Sequence, residues 1–421
     1  MISQFIALCL PLCLVAFPLA AETRTWTGGG GDDLWSTGAN WNSNAPPEAG
    51  SELFFPDTAA RKTPFNDLPA GMAFALIAVS GVSYIIDGNA VTLTNGIFAS
   101  VSQGTNIEVK LGVVLAADQV FRTFSANLKI SGAVDLNGHV LYLERIPPAP
   151  STLELAGAVS GSPGSGLKLM SGVLTFIQNL SDLPVTVNNG GEFRLLSPGV
   201  VGQVTLNGGL LSGTGRVERV ISGEFGSGVI SPGGVSPGTL TVSGDVGIDG
   251  GPHSLAYRIR SLNQPTANLL QVNGDMNIAG AQLTLTGNNA HPAGTRMTIL
   301  QAAGKLTGTF SQGNFASTGI RNYSVVYHPN RVEIVALGPP TLALHSHNVV
   351  PVIDDGEAMI LVSVVATGTP GKAHYLQISG DLSGWEDVAS ATASTGGVLF
   401  LSKTMQPQTP LFLRVRNEPA P

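Results

Sequence analysis

Along most of this chain, short runs alternate aliphatic or β-branched residues with polar ones, and Gly, Pro, Ser or Asn closes each run within a few positions. Period-two alternation over four to eight residues is the signature of half-buried strands. Ile107–Leu115, Val134–Leu143, Leu167–Phe176, Gly238–Val242, Gln282–Leu285 and Arg331–Val335 all read this way. Several runs carry dipeptides that favour positive φ: Asp87-Gly88, Asn95-Gly96, Asn137-Gly138, Asn189-Gly190, Asn207-Gly208 and Asn273-Gly274. Only Gly71–Val79 has a mildly helical texture, and no helix is assigned to it. The pattern predicts an all-β protein.

The strands also repeat. Val242–Gly250 (VSGDVGIDG) returns at Val272–Gly280 (VNGDMNIAG), thirty residues on, and a degraded copy, ISGAVDLNG, stands at Ile130–Gly138. VTVNNGG from Val185 and VTLNGG from Val204 are nineteen residues apart. Irregular offsets with Asn/Gly corners favour a β-solenoid over a sandwich, because a coil tolerates insertions at its corners while its strands keep stacking. Residues 51–337 are therefore expected to form a parallel β-helix of aliphatic interior. After a stiff Gly-Pro-Pro linker at 338–340, residues 341–421 alternate cleanly between longer loops, as a small antiparallel β-sandwich of immunoglobulin or fibronectin III style does. Residues 22–50 form a Trp/Gly-rich module read as an N-terminal cap, since a stack of repeats needs atypical units at its ends.

Composition sharpens this picture. The 53 Gly and 27 Pro suggest disorder, but 43% hydrophobic residues and only 12% charged ones lie on the folded side of that boundary. With so few cations and a formal charge of −7, no basic surface for nucleic acid is expected. Met1–Ala21 is an apolar run ending in small residues, the pattern of a cleaved signal peptide, so the chain is expected to be secreted or displayed at the cell surface. Both cysteines, Cys9 and Cys13, lie within it, which leaves a mature chain without disulfide or thiol chemistry. No later run is long and apolar enough to span a membrane.

Three motifs resemble the autotransporter-associated β-strand repeat family of exported bacterial proteins, whose chains are passenger-like. TWTGGGGDDLWSTGANW at Thr25–Trp41 is similar to the family's opening. LLSGTGRV at Leu210–Val217, followed by ISPGGVSPGTLTVSGDV at Ile230–Val246, is similar to its repeat signature. NLLQVNGDMNIAGAQLTL at Asn268–Leu285 and TILQAAGKLTGTF at Thr298–Phe310 resemble the segment that closes the rod. The resemblance implies a right-handed parallel β-helix at or outside the cell surface, without established catalysis. Autotransporters end in a translocator barrel of about a dozen strands of ~10 residues each; here a sandwich-like segment takes that place.

Candidate chemistry is sparse. Trp26, Trp35 and Trp41 could stack on sugar rings or pack over the end of the rod. Glycoside hydrolysis needs two carboxylates facing one groove at ~5–10 Å, whereas Asp135, Glu192, Glu218, Glu224, Asp245 and Asp275 are spread thinly. Asp245 and Asp275 share the thirty-residue offset, each at the turn position of a Gly-Asp pair. GGGGDDLW at Gly28–Trp35 fits a nonapeptide calcium motif once, without the tandem copies that make it work. Asp354-Asp355-Gly356-Glu357 reads as a turn before a calcium site, and His345 with His347 lacks a nearby third zinc ligand. No catalytic, cofactor or metal residues are assigned. The expected function is a non-catalytic exported scaffold or adhesin whose partners are extracellular polysaccharide or cell-surface components. A carbohydrate-binding protein, or a divergent polysaccharide lyase or hydrolase, is the alternative.

Overall fold

The structure is a computed structural model. It describes residues 22–421 except 147–151, 224–227, 234–236, 247–255, 260–266, 288–290, 293, 319–321, 338–342, 369–371, 395–396 and 418–421. The expected signal segment, 1–21, and the linker, 338–340, thus lie outside the described residues.

Strands stack in parallel register as a β-solenoid. One column shows the principle: Leu53, Ile77, Ile97, Phe121, Leu143, Leu169, Val187 and Leu206 sit directly above one another through successive ladders. All eight are buried. Further columns run Ile86–Val109–Ile130–Leu155 and Val91–Val113–Val134–Val159. Because side chains alternate across a strand, in-register stacking every ~4.8 Å puts one aliphatic residue over another and their polar neighbours outside. The interior is one continuous apolar cluster from Trp26 to Ala336.

The sequence repeats are single coils. Val242 pairs with Val272 and Val272 with Ala302, so the thirty-residue offset is one circuit and is taken a further time by Ala302–Gly308. Val185–Asn188 pairs with Val204–Asn207, which makes the nineteen-residue offset a shorter circuit. The degraded copy also stacks, Ile130 on Leu155 and Val134 on Val159. The mildly helical stretch is a strand, Met72–Val79, where Phe74, Ile77 and Val79 are buried. Among the described residues the only helical turn is Gly38–Asn40.

At the far end the direction reverses. Arg296–Ala302 pairs antiparallel with Arg331–Ala336, which pairs antiparallel with Asn322–Tyr327. These strands turn back across the last coil. Beyond them lie two three-stranded antiparallel sheets. One is Ala343–Asp354, Glu357–Thr367 and Val398–Met405; the other is Glu386–Thr392, Ala373–Ser379 and Phe412–Arg416. They share a core that includes Val362, Val364, Leu376, Leu399 and Leu401, a small sandwich.

Candidate functional site

At the N-terminal end, the tryptophans pack inward. Thr23–Thr25 adds to the first ladder beside Glu52–Phe54, and Trp26, Trp35 and Trp41 are at most 1% exposed. Trp26 meets Trp41 edge-on at 5.2 Å between ring centres, and Trp35 meets Phe74 at 5.8 Å. The Trp26 indole N–H donates to Arg61 O at 2.9 Å, and that of Trp41 donates to Trp35 O at 2.9 Å. With no ring face open to solvent, the sugar-stacking alternative for Trp26, Trp35 and Trp41 has no platform. The neighbouring carboxylates are also engaged. Asp32 accepts from Leu34 N, Thr37 Oγ1 and Asn40 Nδ2, and the Thr37 and Leu34 donors hold its carboxyl below the usual range. Asp33 accepts from Thr63 Oγ1 and lies 3.4 Å from Arg61 Nε.

The Gly-Asp pairs of the repeat also serve the backbone. Asp245 Oδ1 accepts the N–H of Asp275 at 2.7 Å, and Asp275 Oδ1 accepts that of Lys305, one coil on, at 2.7 Å. This chain of carboxylate-to-amide bonds explains the glycines. A Cβ on Gly274 would fall on the Asp245 carboxylate and 2.8 Å from Asp245 N, and one on Gly304 would fall on the Asp275 carboxylate. Gly274 is thus required by a close approach and has no left-handed φ, unlike Gly88, Gly96, Gly138, Gly190 and Gly208. The nineteen-residue repeat has its own version, with Asn207 Nδ2 donating to Asn188 Oδ1 at 2.9 Å.

The remaining sequence candidates stay apart. Glu192 is held by Arg194 and by the buried Ser212 hydroxyl, at 2.9 and 2.7 Å. Glu218 pairs with Arg216 at 2.8 Å, and Asp135 accepts Asn137 N–H at 3.0 Å. Glu224 lies outside the described residues. Asp355-Gly356 is a tight hairpin turn with φ of 47° and 83° between paired Asp354 and Glu357. His345 Nε2 is 2.8 Å from Thr367 Oγ1, and burial lowers the imidazole pKa.

One cleft on the rod's outer surface was not visible in the sequence. Leu153–Leu155 pairs with Leu128–Ile130 below it, whereas Gly172–Phe176 pairs with Gly191–Leu195 above it. Among the described residues no strand pairing joins the two. The Gln178 amide bridges part of this seam, donating to Ala156 O at 2.9 Å and Gly157 O at 2.8 Å. The rest opens as a cleft of about 620 Å³ that includes Arg145, Glu154, Thr175 and Arg194, beside exposed Val173 and Ile177. Glu154 is the only carboxylate among the described lining residues. A paired-carboxylate hydrolysis therefore has one of its two groups here.

No protein-family model, curated protein or solved structure matches this chain.

Proposed function

We propose that this protein is an exported, non-catalytic β-solenoid of the autotransporter-associated repeat kind, serving as a scaffold or adhesin at the cell surface or in the extracellular matrix. The observation that carries the reading is the unbroken column from Leu53 to Leu206, continued by the Asp245–Asp275–Lys305 chain. The polar groups most regularly repeated along the sequence are spent on joining coil to coil. A stack of strands paired coil on coil resists bending, and resistance to bending is what a spacer requires. The two ends support the same role: an aromatic plug closes one, and reversed strands followed by a sandwich close the other.

The test has two arms. In the native host, an epitope on the C-terminal module is expected to be reachable by antibody on intact cells, and deleting the gene is expected to reduce attachment or matrix cohesion. The purified mature chain is expected to leave acidic and neutral polysaccharides uncut. Cleavage that disappears in Glu154→Gln would replace this reading with an enzyme, and an epitope confined to the cytoplasm would end it.

A further inference from the structure

Where the rod meets the sandwich there is a recess of about 470 Å³, within the ~300–1,000 Å³ range of small-ligand sites. Its floor is the outward face of the first sandwich sheet. Alternation fixes which side chains lie there: Val362, Val364, Ala366, Leu399 and Leu401 are buried in the core, so Ser363, Val365, Phe400 and Ser402 face out. The register lines them up in rows across three strands. Asn348 is opposite Ser363, which is opposite Ser402; Ser346 is opposite Val365, which is opposite Phe400. Phe400 is 72% exposed, whereas Phe124 and Phe65, the other exposed phenylalanines among the described residues, are 41% and 44% exposed.

The other wall belongs to the rod and is held rigidly. The Gln312 side chain donates to Leu283 O at 3.0 Å and accepts Leu283 N–H at 3.1 Å. Tyr327 donates to Gly313 O at 2.7 Å and accepts Phe310 N–H at 3.1 Å. Val325 N–H donates to Asn314 O at 2.8 Å, which leaves the Asn314 side chain exposed at the rim. Phe315 and His345, with ring centres 6.0 Å apart, connect the two walls.

The chemistry of the lining selects its ligand. None of the described lining residues is Asp, Glu, Lys or Arg; His347 is the titratable one. The side chains of Asn348, Ser363 and Ser402 have no hydrogen-bond partner among the described residues. Amides and hydroxyls both donate and accept, as sugar hydroxyls do, and an exposed ring has a negative face for the C–H side of a pyranose. We propose that this recess binds a neutral oligosaccharide, with Phe400 stacking on one sugar ring while Asn348, Ser363, Ser402 and Asn314 bond its hydroxyls. An anionic chain would find no Lys or Arg among the described lining residues to offset its desolvation. This assignment goes beyond the scaffold reading and does not depend on surface display.

The experiment uses the mature full chain and isothermal titration with cellohexaose, xylohexaose and mannohexaose, with oligogalacturonate as the charged counterpart. At least one neutral probe is expected to bind, and oligogalacturonate to bind at least tenfold more weakly. Phe400→Ala is expected to weaken the neutral probe at least tenfold without lowering the melting temperature, because the ring is outside the core. Asn348→Ala and Asn314→Ala are each expected to weaken it several-fold, and Glu154→Gln, in the separate cleft, to leave it unchanged. Absence of binding to all three neutral probes at millimolar concentration, or full affinity in Phe400→Ala, overturns the proposal. Full affinity in Asn314→Ala overturns the two-walled site.

Discussion

Replacing Gly274 by Ala tests the coil-to-coil chain directly. The added methyl would overlap the Asp245 carboxylate and sit 2.8 Å from Asp245 N, a backbone atom that cannot swing away. Overpacking of this kind costs about 1–3 kcal/mol. Against it stands the usual gain of about 0.4–1 kcal/mol when alanine restricts the unfolded chain. The net expectation is a local loss of about 1–2 kcal/mol, which speeds exchange through local opening roughly 5- to 30-fold. Hydrogen exchange at the Lys305 amide, whose acceptor Asp275 is untouched by either substitution, is the proper assay, because a stack of repeats need not melt in one step. Gly31→Ala is the control, since nothing lies within 4 Å of its Cβ position and no penalty is expected. Adding Asp245→Ala removes the carboxylate but not the backbone contact, so the double variant should recover only part of the overlap penalty. If Gly274→Ala exchanges no faster than the parent, or the two substitutions are simply additive, the close-approach argument is wrong.

Other expectations follow from the same geometry. Leu206→Ala, at the last position of the buried column, should cost about 3–5 kcal/mol in local stability, read by exchange of the Val185–Asn188 and Val204–Asn207 amides. Trp35→Ala should destabilise the N-terminal coils by about 3–5 kcal/mol while leaving oligosaccharide titrations unchanged, since the indole is wholly buried. Burial lowers the His345 pKa, so the neutral ring's contribution is complete above its ordinary value of 6.5 and fades as pH falls through that value towards the lower folded one. The melting temperature of the C-terminal module should therefore decline as pH falls below about 6.5, and His345→Gln should flatten that slope.

The fold was legible because its rule is periodic. Stacking in register demands that residues one coil apart be alike, and Val242/Val272 and Val185/Val204 display that demand in the chain itself. Corner glycines such as Gly138 and Gly190 announce themselves through their Asn partners. Asn273-Gly274 looks the same, yet its glycine answers to a carboxylate thirty residues away, a spatial cause that no dipeptide records. Gly71–Val79 owes its mildly helical texture to Ala and Met, which suit a helix alone but here lie between ladders on both sides. The cleft at Arg145 and Glu154 was hidden because it arises where pairing stops, and the sequence marks what pairs, not what fails to. The recess beneath Phe400 joins residues nearly ninety apart in the chain, too far for any motif to carry.

The carboxylate-to-amide relay at Asp245, Asp275 and Lys305 has an evolutionary consequence. Each thirty-residue turn presents above the same donors and acceptors that it consumes below. An in-frame duplication of thirty codons between Val242 and Val272 would therefore slot in without redesigning either neighbour and lengthen the molecule by ~4.8 Å. Genes of this construction can change reach by unequal crossing-over, one increment at a time, while both ends stay as they are.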